Sequence, residues 1–86
     1  MPTVVRFGKL RIAIYLNDHG PAHVHVMGAG GEAKINLCAR GRKPRLVVNN
    51  GLTRADLAVA LRVVNARGSF LRRKWKEIHG GNLDPE

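Results

Sequence analysis

Three of the four histidines in the chain, His19, His23 and His25, fall within seven residues. Imidazole titrates near neutral pH, so a pair of them can act as general acid and base, and neutral imidazole is also a common metal ligand. If residues 22–27 are extended, His23 and His25 project from one face while Val24 and Val26 point to the other. Same-face neighbours on a strand stand about 7 Å apart, close enough for two imidazoles to converge on one ion. In one chemistry, His23 and His25, with His19 beside them, exchange protons during phosphodiester cleavage. The 2′-hydroxyl of RNA can supply the nucleophile there, so no metal or cofactor is required. Arg40 or Lys34 would stabilise the developing negative charge. In a second chemistry, His-x-His on a strand holds a metal ion, with His19 or Asp18 as third ligand. In a third reading the histidines only line a half-exposed polar sheet face, hydrogen-bonded to the turn around Asp18. The chain has no four-ligand pattern of cysteines and histidines, which argues against a structural zinc finger.

The charge balance narrows the choice of partner. Fifteen Lys and Arg stand against six Asp and Glu, a formal net charge of +9 with His neutral. Arg40, Arg42, Lys43 and Arg45 crowd one loop, and Arg62, Arg67, Arg72, Arg73, Lys74 and Lys76 decorate the C-terminal half. This excess over short spans exceeds what solubility requires. It points to a polyanion, RNA if the histidines act on phosphodiesters, or to an acidic protein partner. Arg40, Arg42, Lys43, Arg45, Arg72, Arg73 and Lys76 are the candidate phosphate contacts. Base stacking along a row of aromatics is excluded by composition, with one Trp, one Tyr and two Phe. Gly28-Ala29-Gly30-Gly31 lacks the strand-to-helix context of a phosphate loop and reads as a hairpin tip.

The elements that must position these residues are strands first and helices second. Val4-Val5-Arg6-Phe7 is a short β-branched run closed by Gly8-Lys9. Leu10, Ile12, Ile14 and Leu16 alternate onto one face of a strand, with Arg11, Ala13 and Tyr15 on the other. Asn17-Asp18-His19-Gly20-Pro21 favours a turn. Ala22 to Met27 alternates again, and the glycine tip returns it onto Glu32 to Cys38, where Ala33, Ile35 and Leu37 form the apolar row. Arg45 to Val48 is a last strand. From Leu52 the period becomes helical: Leu57, Leu61 and Val64 are spaced i, i+4, i+7, with Thr53 as N-cap and Asp56 at the third helical position. Gly68-Ser69 interrupts the helix. Phe70, Leu71, Trp75 and Ile78 build a second apolar stripe, ended by Gly80-Gly81. This order predicts an α+β fold, a small antiparallel sheet of four to five strands followed by two C-terminal helices packed on one face.

A chain of 86 residues suits one domain, taken as residues 1–80, with 81–86 as a loose tail. No apolar run approaches the ~18 residues of a membrane span. The opening residues lack the pattern of a secretory signal, and the single cysteine, Cys38, can form no internal disulfide. Cytoplasmic localisation is expected, and a homo-oligomer stays open.

The segment Asn17-Asp18-His19-Gly20-Pro21-Ala22-His23-Val24-His25-Val26, with Gly31-Glu32-Ala33-Lys34-Ile35-Asn36-Leu37 after it, resembles the small bacterial proteins grouped as domain of unknown function 4160. The likeness continues through Gly51-Leu52 and the helices to Leu71 and Trp75. Where family members usually carry a second proline, this chain has Ala22; His19, His23 and His25 match position by position, with Asp18 and Glu32 flanking them. The resemblance implies a small cytoplasmic bacterial protein, often encoded beside another small protein in toxin–antitoxin-like pairs. Together with the histidine pair and the charge, it leads to the expectation of a toxin-like protein that binds and cleaves RNA, with a small antitoxin-like protein as partner. The alternative is a non-catalytic module that binds nucleic acid or a partner protein, and a histidine metal site is the third reading.

Overall fold

Apolar alternation resolves into five strands: β1 (Thr3–Phe7), β2 (Leu10–Ala13), β3 (His23–Gly28), β4 (Gly31–Asn36) and β5 (Arg45–Asn50). Two helices follow, α1 (Arg54–Ala66) and α2 (Gly68–His79). The computed structural model describes residues 3–16, 18–38 and 41–79. Arg40, the Gly80-Gly81 helix end and the 81–86 tail therefore lie outside the described residues. Each strand pairs antiparallel with its neighbour in sequence, in the order β1-β2-β3-β4-β5. The α+β arrangement expected from the element order is the one observed.

One face of this sheet is apolar because the strand period is two. The ladder sets Ile12 opposite Val26 and Val26 opposite Ala33, and sets Val24 opposite Ile35. These side chains, with Ala60, Val63, Val64, Leu71 and Trp75 from the helices, form one buried cluster. The other face carries Arg11, His23, His25, Met27, Glu32, Lys34 and Asn36 by the same register.

Three expectations shift when the chain folds. Leu16 does not join the apolar row; it is 75% exposed. Strand β2 stops at Ala13, and the Asp18 carboxylate accepts a hydrogen bond from Tyr15 N at 3.1 Å, so the chain turns away before Leu16. In α1 the buried centre is Ala60, Val63 and Val64, while Leu57 and Leu61 pack at its margin. Strand β5 runs on past Val48 to Asn50 and lies at the sheet edge, all six residues exposed. Val47 is its extra residue, since Lys34 pairs with Val48 and Ile35 with Leu46.

The helix boundaries follow their local chemistry. Thr53 Oγ1 accepts from Asp56 N at 3.1 Å, the N-cap bond expected for α1. Arg67 alone separates α1 from α2. At the other end of the sheet, the backbones of Gly31 and Gly51 meet where the β3–β4 tip approaches the β5–α1 turn. A Cβ on Gly31 would stand 2.5 Å from Leu52 N and 2.7 Å from Gly51 O. Backbone atoms cannot swing aside as a flexible side chain can. Gly31→Ala is therefore expected to lower stability by about 1–3 kcal/mol, the usual cost of overpacking. Urea denaturation checks this, and an unchanged midpoint would mean that the two turns are not held together.

Candidate functional site

His23 and His25 do leave strand β3 on the same face, and the residue that joins them is Asp18. Its Oδ2 lies 3.3 Å from His23 Nε2 and its Oδ1 lies 3.3 Å from His25 Nε2. The turn that carries Asp18 is held by its own bonds: Oδ2 accepts from Tyr15 N, and Asp18 N donates to Tyr15 O at 3.2 Å. Each imidazole is also engaged at its other nitrogen. His23 Nδ1 sits 2.9 Å from Pro21 O, and His25 Nδ1 sits 3.1 Å from Glu32 Oε2. A peptide carbonyl only accepts, so the His23 Nδ1 carries the hydrogen.

Aromatic rings wall this group in. Tyr15 stacks on His25 with centroids 4.1 Å apart, and the two imidazoles meet edge to face at 5.0 Å. Trp75 of α2 covers His23 at 5.1 Å. His23 is accordingly only 3% exposed, whereas His25 is half-buried. Directly across the ladder from His25 stand Ala13 and Lys34. The short Ala13 side chain leaves the space above His25 to the Tyr15 ring. Tyr15 Oη donates to Glu32 Oε2 at 3.3 Å, which ties the turn after β2 to β3 and β4 in one polar network. His19 stands outside it, exposed to solvent. The third position near the imidazoles belongs to Asp18.

The cationic residues assemble elsewhere. Arg42 and Lys43 from the loop before β5 face Asn65, Ala66, Gly68, Ser69 and Arg72 at the α1–α2 junction across a cleft of about 320 Å³. A second depression of about 280 Å³ adjoins it at Lys43 and Asn65 and adds Arg62. Among the described residues, no carboxylate lines either depression. Of the expected phosphate contacts, Arg42, Lys43 and Arg72 come together here. Arg45 begins β5 opposite Asn36, and Arg73 and Lys76 lie exposed on α2, outside the cleft. The histidines do not line the cationic cleft.

With both regions in place, comparison with known proteins identifies the family. Residues 10–76 match the model of a family described as Domain of unknown function (DUF4160). The chain belongs to this family. No curated protein and no solved structure matches it. The stretch shared with DUF4160 begins with β2 and ends within α2. It takes in Asp18, His23, His25 and Glu32 as well as Arg42, Lys43 and Arg72.

Glu32 was expected beside the histidines only as a flanking residue of the motif, and Tyr15 was not expected to meet them. The signal lay in the hairpin register. A two-residue turn at Ala29-Gly30 pairs Met27 with Glu32 and His25 with Lys34, which puts Glu32 on the histidine face, diagonal to His25. Trp75 was readable as core but not as the lid of His23, because that contact depends on how α2 crosses the sheet.

The Tyr15 phenol is pushed above its ordinary value by burial first, then by the charge and hydrogen bond of Glu32 and the charge of Asp18; Arg11 pulls weakly the other way. The folded protein thus holds this proton more tightly than the unfolded chain. That contribution to stability is complete below the unfolded value of 10.0 and is lost as pH rises through the higher folded value. At pH 8, Tyr15→Phe is expected to cost about 0.5–1.5 kcal/mol through the lost hydrogen bond to Glu32. The urea midpoints of the two proteins should then converge as pH climbs past 10, and a constant gap would rule out the phenol–carboxylate bond.

Proposed function

We propose that the protein binds single-stranded RNA through the cleft between the 41–43 loop and the α1–α2 junction, as the RNA-directed member of a toxin–antitoxin-type pair. The observation that carries this reading is the convergence of Arg42, Lys43 and Arg72 on one concave surface without a carboxylate in its lining. Arg62 extends the cationic rim along the adjoining depression. The four carboxylates among the described residues are engaged elsewhere: Asp18 and Glu32 with histidines, Asp56 with Lys9 at 3.7 Å and Glu77 with Lys74 at 3.2 Å. An arriving phosphate therefore meets unopposed positive charge in the cleft.

Contacts of this kind give salt-dependent affinity and little sequence preference, since phosphates carry no base identity. The exposed aromatics are too few to read bases by stacking. The reading is one of binding. His23 is covered by Trp75 and His25 is clamped between two carboxylates, so no proton-transfer step is assigned to them. With three phosphate contacts on a single strand, affinity is expected to fall about 20-fold between 50 and 200 mM salt. Replacing Arg42, Lys43 and Arg72 together by Ala should reduce the slope of log affinity against log salt by about 2. Fluorescence anisotropy on a labelled RNA measures both, and a slope untouched by the triple variant would remove the cleft from the binding surface.

The edge strand favours a second reading, a small acidic protein partner that adds a strand to β5. Leu46, Val47 and Val48 are 37%, 48% and 43% exposed there, a run of apolar side chains beside unpaired backbone groups. Val47→Lys is expected to abolish stoichiometric co-purification of such a co-expressed partner while leaving RNA affinity unchanged. Retained stoichiometry in that variant would exclude β5 as the contact.

A further inference from the structure

Both imidazoles of the Asp18 group meet an oxygen at each ring nitrogen. His23 has Pro21 O on Nδ1 and Asp18 Oδ2 on Nε2; His25 has Glu32 Oε2 on Nδ1 and Asp18 Oδ1 on Nε2. A neutral imidazole offers one N–H and one lone pair, so one nitrogen of each ring would aim its lone pair at an oxygen lone pair. The Pro21 carbonyl can only accept and so places the His23 hydrogen on Nδ1, and the shorter of the two His25 contacts, 3.1 Å, is also the one at Nδ1. The mismatch falls on the two Nε2 atoms, and both of them face one carboxylate. Two additions cure it. Either each Nε2 carries a second proton, or one divalent cation sits between the two nitrogens and Asp18. With Asp18 and Glu32 ionised, both leave the group formally neutral.

Distances and surroundings favour the cation. A charge-assisted N–H···O bond contracts to about 2.7–2.9 Å. Both Asp18 contacts stand at 3.3 Å instead. Ligands about 2.0–2.2 Å from a tetrahedral ion are separated by ~3.3–3.6 Å, and each Nε2 stands 3.3 Å from one oxygen of the Asp18 carboxylate. Taken together, one ligand atom from each of Asp18, His23 and His25 lies within 4.8 Å of the others. The outer contacts also fit. A metal-bound histidine ordinarily donates its far N–H to a carbonyl or carboxylate, which fixes the ring and its tautomer. Pro21 O and Glu32 stand in those places. Side-chain exposures of 11% for Asp18 and 13% for His25 leave a solvent-facing side for entry and for a water ligand.

We propose that Asp18, His23 and His25 bind one divalent transition-metal ion through the Asp18 carboxylate and the two Nε2 atoms, with Glu32 and Pro21 O orienting the rings. Two imidazoles with one carboxylate suit Zn²⁺, Fe²⁺ or Co²⁺ and not Mg²⁺ or Ca²⁺, which prefer all-oxygen shells. His19, although part of the same histidine-rich stretch, contributes nothing to this site. The proposal is independent of RNA binding, because the cationic cleft shares no residue with it.

The test uses the full-length, untagged protein, stripped of metal and titrated with Zn²⁺ and, separately, Co²⁺. One equivalent of Zn²⁺ should bind, and the melting temperature should rise by roughly 10–20 °C at a hundredfold excess over Kd. One equivalent of Co²⁺ should develop the visible absorption of a low-symmetry four- or five-coordinate site. Asp18→Asn keeps the shape of the side chain and should weaken Zn²⁺ binding at least tenfold, whereas His19→Ala should leave it unchanged. Should Asp18→Asn fail to fold, the wild-type stoichiometry and cobalt spectrum decide alone. Absence of one-equivalent binding in the wild type overturns the proposal. So does binding that survives Asp18→Asn or disappears with His19→Ala. The Arg42, Lys43 and Arg72 triple variant, in which RNA affinity is the quantity at stake, should bind Zn²⁺ as the wild type does.

Discussion

A single carboxylate, that of Asp18, organises the polar half of this molecule. It sits in the turn between β2 and β3, reaches both imidazoles of β3, and holds the turn by accepting from Tyr15 N. Removing such a group from water is costly unless every lone pair finds a partner. Here the partners come from strand β3 and from the Tyr15 backbone, so the Asp18 carboxylate fixes the turn against the strand. Glu32 repeats the pattern one strand further on, accepting at His25 and Tyr15. The polar face is therefore ordered by charge and hydrogen bonding, and the opposite face by apolar burial.

Helix α2 borders both the histidine group and the cationic cleft. Leu71 and Trp75 turn inward, and Trp75 lies against His23. Arg72, one residue after Leu71, is turned toward the cleft shared with Arg42 and Lys43. The helical period separates these directions within a single turn. The histidine group and the cationic cleft thus both border α2, through Trp75 and Arg72, yet remain chemically distinct. One suits a compact cation with nitrogen and oxygen ligands, and the other suits a diffuse polyanion.

Membership of the DUF4160 family covers both surfaces, since the matched residues run from β2 into α2. The strongly basic balance of +9 belongs to this chain's own composition. The family region supplies the scaffold on which that charge is displayed.

Residue periodicity was enough to specify the α+β order, the shared face of His23 and His25, the Thr53 cap and the single apolar row on each inner strand. These features are local: alternation follows from the pleat, and a cap needs only its own first turn. The partners of the histidines were not local. Glu32 reaches His25 through the hairpin register, and Trp75 reaches His23 through the docking of α2. The first needs the β3–β4 hairpin closed in one register, and the second needs a helix brought back from the far end of the chain. For the same reason the sequence could rank His19 with His23 and His25, although folding turns it to solvent and brings Asp18 to the imidazoles. Spacing along a chain constrains which side chains can meet. Only packing, which must bury the apolar face and satisfy each buried polar atom, selects the ones that do.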